Sequence, residues 1–495
     1  MISKLGSFSI AVVLLCGAAG AEGGAPPAGS FPLTTHSPES RELLAKTWEL
    51  DQDQGEQIKA IAVLRKMVKI DPNFAMGHEI LSQISRDPGE QVKEQKAAWA
   101  TRTNSSPSEQ LVIEWFQNAA DHKLIPAITD MNEVLRQYPH DKWVVFLANG
   151  WLMVQMQFDR AAAVYENSGI TDSPGLMNNA AYTYASLHDY DKAFALMDKL
   201  VEMMPKLSNP EDTYGELLRL AGRYQDSVKH YQASLAINPR FHSSEYGLAD
   251  TYAMMGDSAR ARKIYEIAFK KFPLPTLDYV QFKTREALTY VREGDLKGAD
   301  QAFQAIAEYT SAHKMPQAEA ETYRQMAMYQ RDPRRSLELL DQAERSIHRG
   351  QNAMRTSVDQ ELAMVLRTRV EEALKAGDKS LAHATLAQLA KLNDSDDNII
   401  QTEYEGASGA VLFAAHKYKL SIPHLEQDTE NPLSLRLLAS AYRRAGDVEG
   451  QKHIDEKLAS VNDPTLEQAL VVPGFRKCLE NPNCDSSFKT ASVKH

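Results

Sequence analysis

The acidic stretch "DSDDNIIQTEYE", residues 394–405, sets Asp394, Asp396, Asn398 and Glu405 at the first, third, fifth and twelfth places of a calcium-binding loop. Such a loop turns sharply at its sixth place and needs glycine there, where this chain carries Ile399. An acidic loop that caps the following helix accounts for the same letters, so no metal is assigned to it. His416 and His424 flank Pro423 without a third ligand nearby in sequence, and the 14 histidines are otherwise scattered. The 17 methionines, Met203-Met204 and Met254-Met255 among them, fall in helical stripes, which favours adaptable core packing over a soft-metal store. The sequence has no glycine-rich phosphate loop, no Gly-x-Ser-x-Gly elbow and no His-Glu-x-x-His pair. No catalytic residue and no cofactor is therefore assigned.

Composition sets the class. The chain has 495 residues, 43% hydrophobic and 24% charged, with a net charge of -11. That balance belongs to a folded protein, and the negative field would repel nucleic acid. The Arg-rich stretch 324–355 is interrupted by Asp332, Glu338, Asp341 and Glu344 and reads as a solvated helix face. At the N-terminus, Lys4 precedes the apolar run "FSIAVVLLCGAAGA", too short for a lasting bilayer span. Ala19-Gly20-Ala21 forms a small-x-small cleavage site, which makes residues 1–21 a leader and sends the chain to a bacterial periplasm or exterior. A lipoprotein signal at Cys16 is disfavoured by Leu15. Loss of Cys16 with the leader leaves Cys478 and Cys484, in "CLENPNC", around a short Asn-Pro turn. In an exported chain that pair reads as a disulfide, and its spacing lacks the further ligands zinc needs. Residues 22–40, rich in Gly, Pro and Ser, read as a flexible tether.

The elements that would position any site are periodic. Prolines at 72, 107, 139, 174, 205, 239 and 273 recur every 31 to 35 residues, a helical-hairpin beat. Ahead of them the same slots return. In one unit they are Leu248, Ala249, Tyr252, Gly256, Ala261, Tyr265 and Ala268; in the preceding unit Tyr214, Gly215, Leu218, Gly222, Ser227, Tyr231 and Ser234. The unit before that offers Ala180, Ala181, Tyr184, His188, Ala193, Met197 and Leu200. Small residues at Ala249, Ala261 and Ala268 let two helices approach closely. Gly256 suits a left-handed turn, Asp257 can cap the second helix, and Pro273 ends it.

This pattern resembles the tetratricopeptide repeat family, with "GEQIKAIAVLRKMVKIDPNF" (55–74) and "LLASAYRRAGDVEGQKHIDEKLASVNDP" (437–464) as further matches. The resemblance implies an all-α fold, an α-α superhelix or solenoid of about a dozen helical hairpins. A regular array would cover 41–275, degenerate repeats with longer first helices 276–431, a late repeat 432–464, and a C-terminal tail 465–495. The family's fold further implies a concave groove, lined by first helices, that takes a peptide or helix of another protein. Projected onto this sequence, the groove slots are Asn178, Tyr182 and Ser186, then Asp212, Glu216 and Arg219, then Tyr246, Asp250 and Ala253. The acids among them suit a basic or mixed-polarity segment. A clamp for a C-terminal carboxylate is disfavoured, because Asp212, Glu216, Tyr246 and Asp250 stand where Lys and Asn would be needed. The expected function is a noncatalytic interaction scaffold, in cell-envelope assembly or secretion by analogy with the family. The alternatives are an enzyme or carbohydrate-handling accessory with its site in 276–431, and a self-assembling structural protein.

Overall fold

The structure is a computed structural model that describes residues 29–35, 37–53, 56–271, 276–350, 353–393 and 397–480. The expected leader, Asp394, Asp396, Pro273 and Cys484 lie outside the described residues. Among the described residues the backbone forms 25 α-helices and no strand. No helix of the described residues is long and apolar enough to cross a membrane.

Consecutive helices pack as hairpins: Pro174–Ser186 with Tyr190–Met203, Ser208–Leu220 with Tyr224–Ile237, Pro316–Tyr329 with Pro333–Arg349, and Pro432–Ala445 with Val448–Ser460. The chain is thus an all-α array of two-helix units. Ala249, Ala261, Tyr265 and Ala268 are all fully buried, as the repeating slots require. The hairpin turn takes a left-handed residue: Gly222 has φ 77° and Gly256 φ 88°. His122, Met156 and His188 occupy the same place at φ 64°, 57° and 59°, where an L side chain is strained. Asp257 accepts the Arg260 amide at 3.1 Å and closes the next helix start. The periodic prolines have two uses. Pro72, Pro139, Pro205 and Pro239 follow the end of a second helix, whereas Pro107 and Pro174 open a first helix, and neither place needs an N–H donor.

The chain divides into two compact units, one formed chiefly by residues up to Leu248 and the other chiefly by residues from Ala249. In the first, helix Lys142–Val154 packs on Pro174–Ser186, and Pro174–Ser186 on Ser208–Leu220, so first helices of successive hairpins touch. The second helices make no comparable contact with one another among the described residues. First helices therefore form the tighter face of this unit. In the other unit Pro316–Tyr329, Arg355–Lys375 and Asn398–Ala414 follow the same rule. Its first helices are lengthened, as expected: Thr276–Glu293 has 18 residues and Arg355–Lys375 has 21, against 13 in Pro174–Ser186.

Two boundaries need correction. The tether expected over 22–40 ends early, because Phe31 is buried against Trp143 at 4.3 Å and Tyr138 at 5.3 Å between ring centroids. Its amide donates to Asp141 at 2.9 Å, and the Thr34 amide donates to Glu109 at 2.9 Å. Residues 31–35 are thus a strap fastened to the first unit, and helix Pro38–Trp48 begins at once. The tail expected from 465 is a helix, Leu466–Glu480, packed against Thr276–Glu293 and Pro432–Ala445 through Leu466, Ala469, Val471 and Val472. Its apolar side chains cover surface that the hairpins alone would leave wet.

Candidate functional site

The hairpin period returns in the polar contacts between first helices. Asn149 donates to Thr183 across 34 residues, Tyr182 to Glu216 across 34, and Ser244 to Asp212 across 32. Each pair joins one first helix to the next; Asn149, Thr183 and Ser244 are fully buried in those seams, whereas Tyr182, Asp212 and Glu216 are half-buried.

Seven of the nine expected groove residues lie in that unit. Tyr182 donates its hydroxyl to Glu216 at 2.8 Å, and Arg219 donates to the other oxygen of Glu216 at 3.1 Å. Ser244 donates to Asp212 at 2.5 Å. Burial pushes the Asp212 carboxyl up to about 7; the Ser244 hydrogen bond opposes this, Glu216 adds to it, and Arg219 opposes it. Burial, then the Glu216 charge, raises the Tyr182 phenol well above its ordinary value. Asn178 is half-buried, with its carbonyl oxygen enclosed and lacking a hydrogen-bond partner. Tyr246 and Arg219 are buried, and Ser186 is half-buried.

Asp250 belongs to the other unit. It is buried, accepts from the Tyr265 hydroxyl, and pairs with Arg285 at 2.6 Å. Its charge is met within the chain, and Ala253 beside it is buried.

A second polar row lies in this unit and corrects the reading of 324–355 as a solvated helix face at its first residue, because Arg324 is buried. Arg324 donates to Glu361 at 2.9 Å across 37 residues, and Arg367 to Glu403 at 3.2 Å across 36. Arg367 also reaches Asp428 at 2.6 Å, Glu371 at 3.2 Å and Ser434 at 2.7 Å. Gly406 lies against this knot: a Cβ there would stand 2.7 Å from the Arg367 guanidinium carbon. Burial raises Glu361 and Asp428 to about 7 each, against the pull of their guanidinium partners. The signal in the sequence was the same arithmetic of about one repeat, stretched by the longer helices.

The remaining chemical candidates resolve locally. Asp397 accepts the amides of Ile399 and Ile400 and caps helix Asn398–Ala414, and Glu405 accepts from His424 at 2.5 Å. His416 contacts the Tyr418 hydroxyl at 2.7 Å. Among the described residues no three His, Cys, Asp or Glu gather as a metal site. Cys478 is disulfide-bonded. Met67, Met131 and Met197 are fully buried, while Met203 and Met255 are exposed. A shallow open recess is lined by Asp300, Gln304, Glu308, Met326 and Arg335.

No family model matches the chain, and no curated protein does. Solved structures do. A tetratricopeptide repeat protein from Parabacteroides merdae shares 16% identity over 62% of this chain and 99% of its own, at a TM-score of 0.31. The APC/C hetero-tetramer Cut9-Hcn1 shares 13% over 81% of this chain and 76% of its own, at 0.38. The human IFIT1 dimer with PPP-AAAA shares 11% over 76% of this chain and 96% of its own, at 0.36. Scores of this size add no weight. The tetratricopeptide-like fold stands on the chain's own hairpins, buried slots and left-handed turns.

Proposed function

We propose that the protein is a noncatalytic scaffold whose first-helix face binds a peptide or helix of another protein. The observation that carries this is the polar row Asn149–Thr183, Tyr182–Glu216 and Asp212–Ser244, which repeats with the hairpins from first helix to first helix. The half-buried members of the row, Tyr182, Asp212 and Glu216, recur from one hairpin to the next, which suits an extended partner that meets side chains one repeat after another. Tyr182 offers a flat contact of low conformational cost, and Glu216 and Asp212 offer acceptors for a basic or mixed-polarity segment. The partner is a protein rather than nucleic acid, given the net charge of -11. The site of action is a bacterial periplasm or cell exterior, in envelope assembly or secretion.

The test is in-cell cross-linking followed by mass spectrometry, comparing the wild type with Tyr182→Ala/Glu216→Ala. Loss of specific neighbours from the variant at unchanged helicity is expected. Identical neighbours from both chains contradict the assignment.

A second reading, an enzyme or carbohydrate-handling accessory working from 276–431, draws on Glu361 and Asp428, both raised to about 7. Each is held against a guanidinium group, Arg324 at 2.9 Å and Arg367 at 2.6 Å. That is the arrangement of an ion-pair network, and it is why the interaction reading is preferred.

A further inference from the structure

We infer that the first-helix face of the unit from Ala249 onward holds a separate subsite, Glu321 with Gln325, that receives a lysine or arginine side chain of a protein partner. The inference rests on the interaction reading above and extends it to the other unit.

Glu321, Arg324 and Gln325 lie within about one turn of helix Pro316–Tyr329. Gln325 is 7% exposed and donates its amide nitrogen to Glu321 at 3.0 Å. Its carbonyl oxygen is enclosed and has no hydrogen-bond partner. A carboxylate accepts and does not donate, so Glu321 fixes which end of the amide turns toward it. The orphan at Gln325 is therefore an acceptor, standing beside a second acceptor, the half-buried Glu321 carboxylate. Buried acceptors in native proteins have partners, and an unmet one asks for a donor.

Charge gives the donor its sign. Arg324 lies in the field of Glu361, Glu321 and Glu467. Arg324 already donates to Glu361, and burial raises the Glu321 carboxyl, a desolvation cost that a cation beside it would relieve. One carboxylate and one amide oxygen are too few for calcium, which takes six to eight oxygens. An ammonium or guanidinium group brings several N–H donors and one positive charge on a stem long enough to reach a half-buried site. Charge complementarity thus commits the subsite to a basic side chain.

The probe is hexalysine, with hexaarginine alongside, titrated calorimetrically into the full chain at about 150 mM salt, where loose surface attraction is screened. Glu321→Gln is expected to weaken binding at least tenfold. Gln325→Met, which removes the orphan acceptor, is expected to weaken it about threefold while its own Tm does not fall. Glu202→Gln, an equal loss of charge at an exposed position of the other unit, is expected to leave binding unchanged. Tighter binding of one probe decides between lysine and arginine. Absence of binding by the wild type overturns the inference, as does equal weakening by Glu202→Gln, which would mark bulk charge alone. A Gln325→Met chain that loses stability yet binds normally overturns it too. The interaction reading is tested through Tyr182 in the other unit, so either result can fail while the other stands.

Discussion

Tyr182 and Glu216 stand 34 residues apart and share a hydrogen bond of 2.8 Å, hydroxyl to carboxylate. The sequence distance is one hairpin, and the contact crosses from one first helix to the next. Local spacing has become a contact between helices. A double-mutant cycle of Tyr182→Phe and Glu216→Gln, read by urea unfolding, is expected to give a coupling of about 1 kcal/mol. Strict additivity of the two changes would remove this link from the row.

Two glycines separate two kinds of cost. A Cβ at Gly247 would stand 2.3 Å from the Tyr231 ring, whereas one at Gly256 meets nothing within 4 Å. Gly247→Ala overpacks a seam and is expected to lose about 1–3 kcal/mol. Gly256→Ala strains only a backbone at φ 88°, with an expected loss of about 1 kcal/mol. Urea midpoints at constant slope measure both. A larger loss at Gly256 contradicts the packing argument.

Burial holds Asp212 at about 7, above its unfolded value near ~3.9. Between those values the native state keeps a proton that the unfolded chain has released. The contribution of Asp212 to stability is therefore fullest below about pH 4 and declines as pH rises toward and through 7. Asp212→Asn removes the dependence. The wild type should lose stability relative to this variant between pH 5 and pH 8. A constant difference across that range contradicts the buried, raised carboxyl.

The strap is anchored by one aromatic side chain. Phe31→Ala leaves a cavity beside Trp143 and Tyr138 and is expected to cost about 3 kcal/mol. Unfolding followed by tryptophan emission reads the loss. An unchanged midpoint would return residues 31–35 to the status of a tether.

Much of this fold is legible because each hairpin solves the same close-approach problem with the same residue types, as at Ala249, Ala261 and Tyr265. The turn is legible where it uses Gly222 or Gly256. At His188 it is legible from the slot alone, and it is hidden at His122 and Met156, where no glycine marks the left-handed backbone. The strap was not legible, since "FPLTT" has the composition of a linker and its anchors, Glu109 and Asp141, lie 75 and 110 residues away. Pro473 argues locally against a helix over Leu466–Glu480, yet burial of Leu466, Val471 and Val472 outweighs one missing donor. Among the candidate residues, the sequence placed Tyr182 and Glu216 on facing first helices but did not show that Asp250 is neutralised by Arg285. That fact depends on a partner side chain one stretched repeat away.

The central claim is that the first-helix face, and not the second-helix face, meets the partner. A photo-cross-linking residue placed at Tyr182, and separately at the exposed Glu202 on helix Tyr190–Met203, tests it directly in living cells. The account predicts one recurrent protein adduct from position 182 and none of that mass from position 202. Equal capture from both positions, or capture from 202 alone, would contradict it.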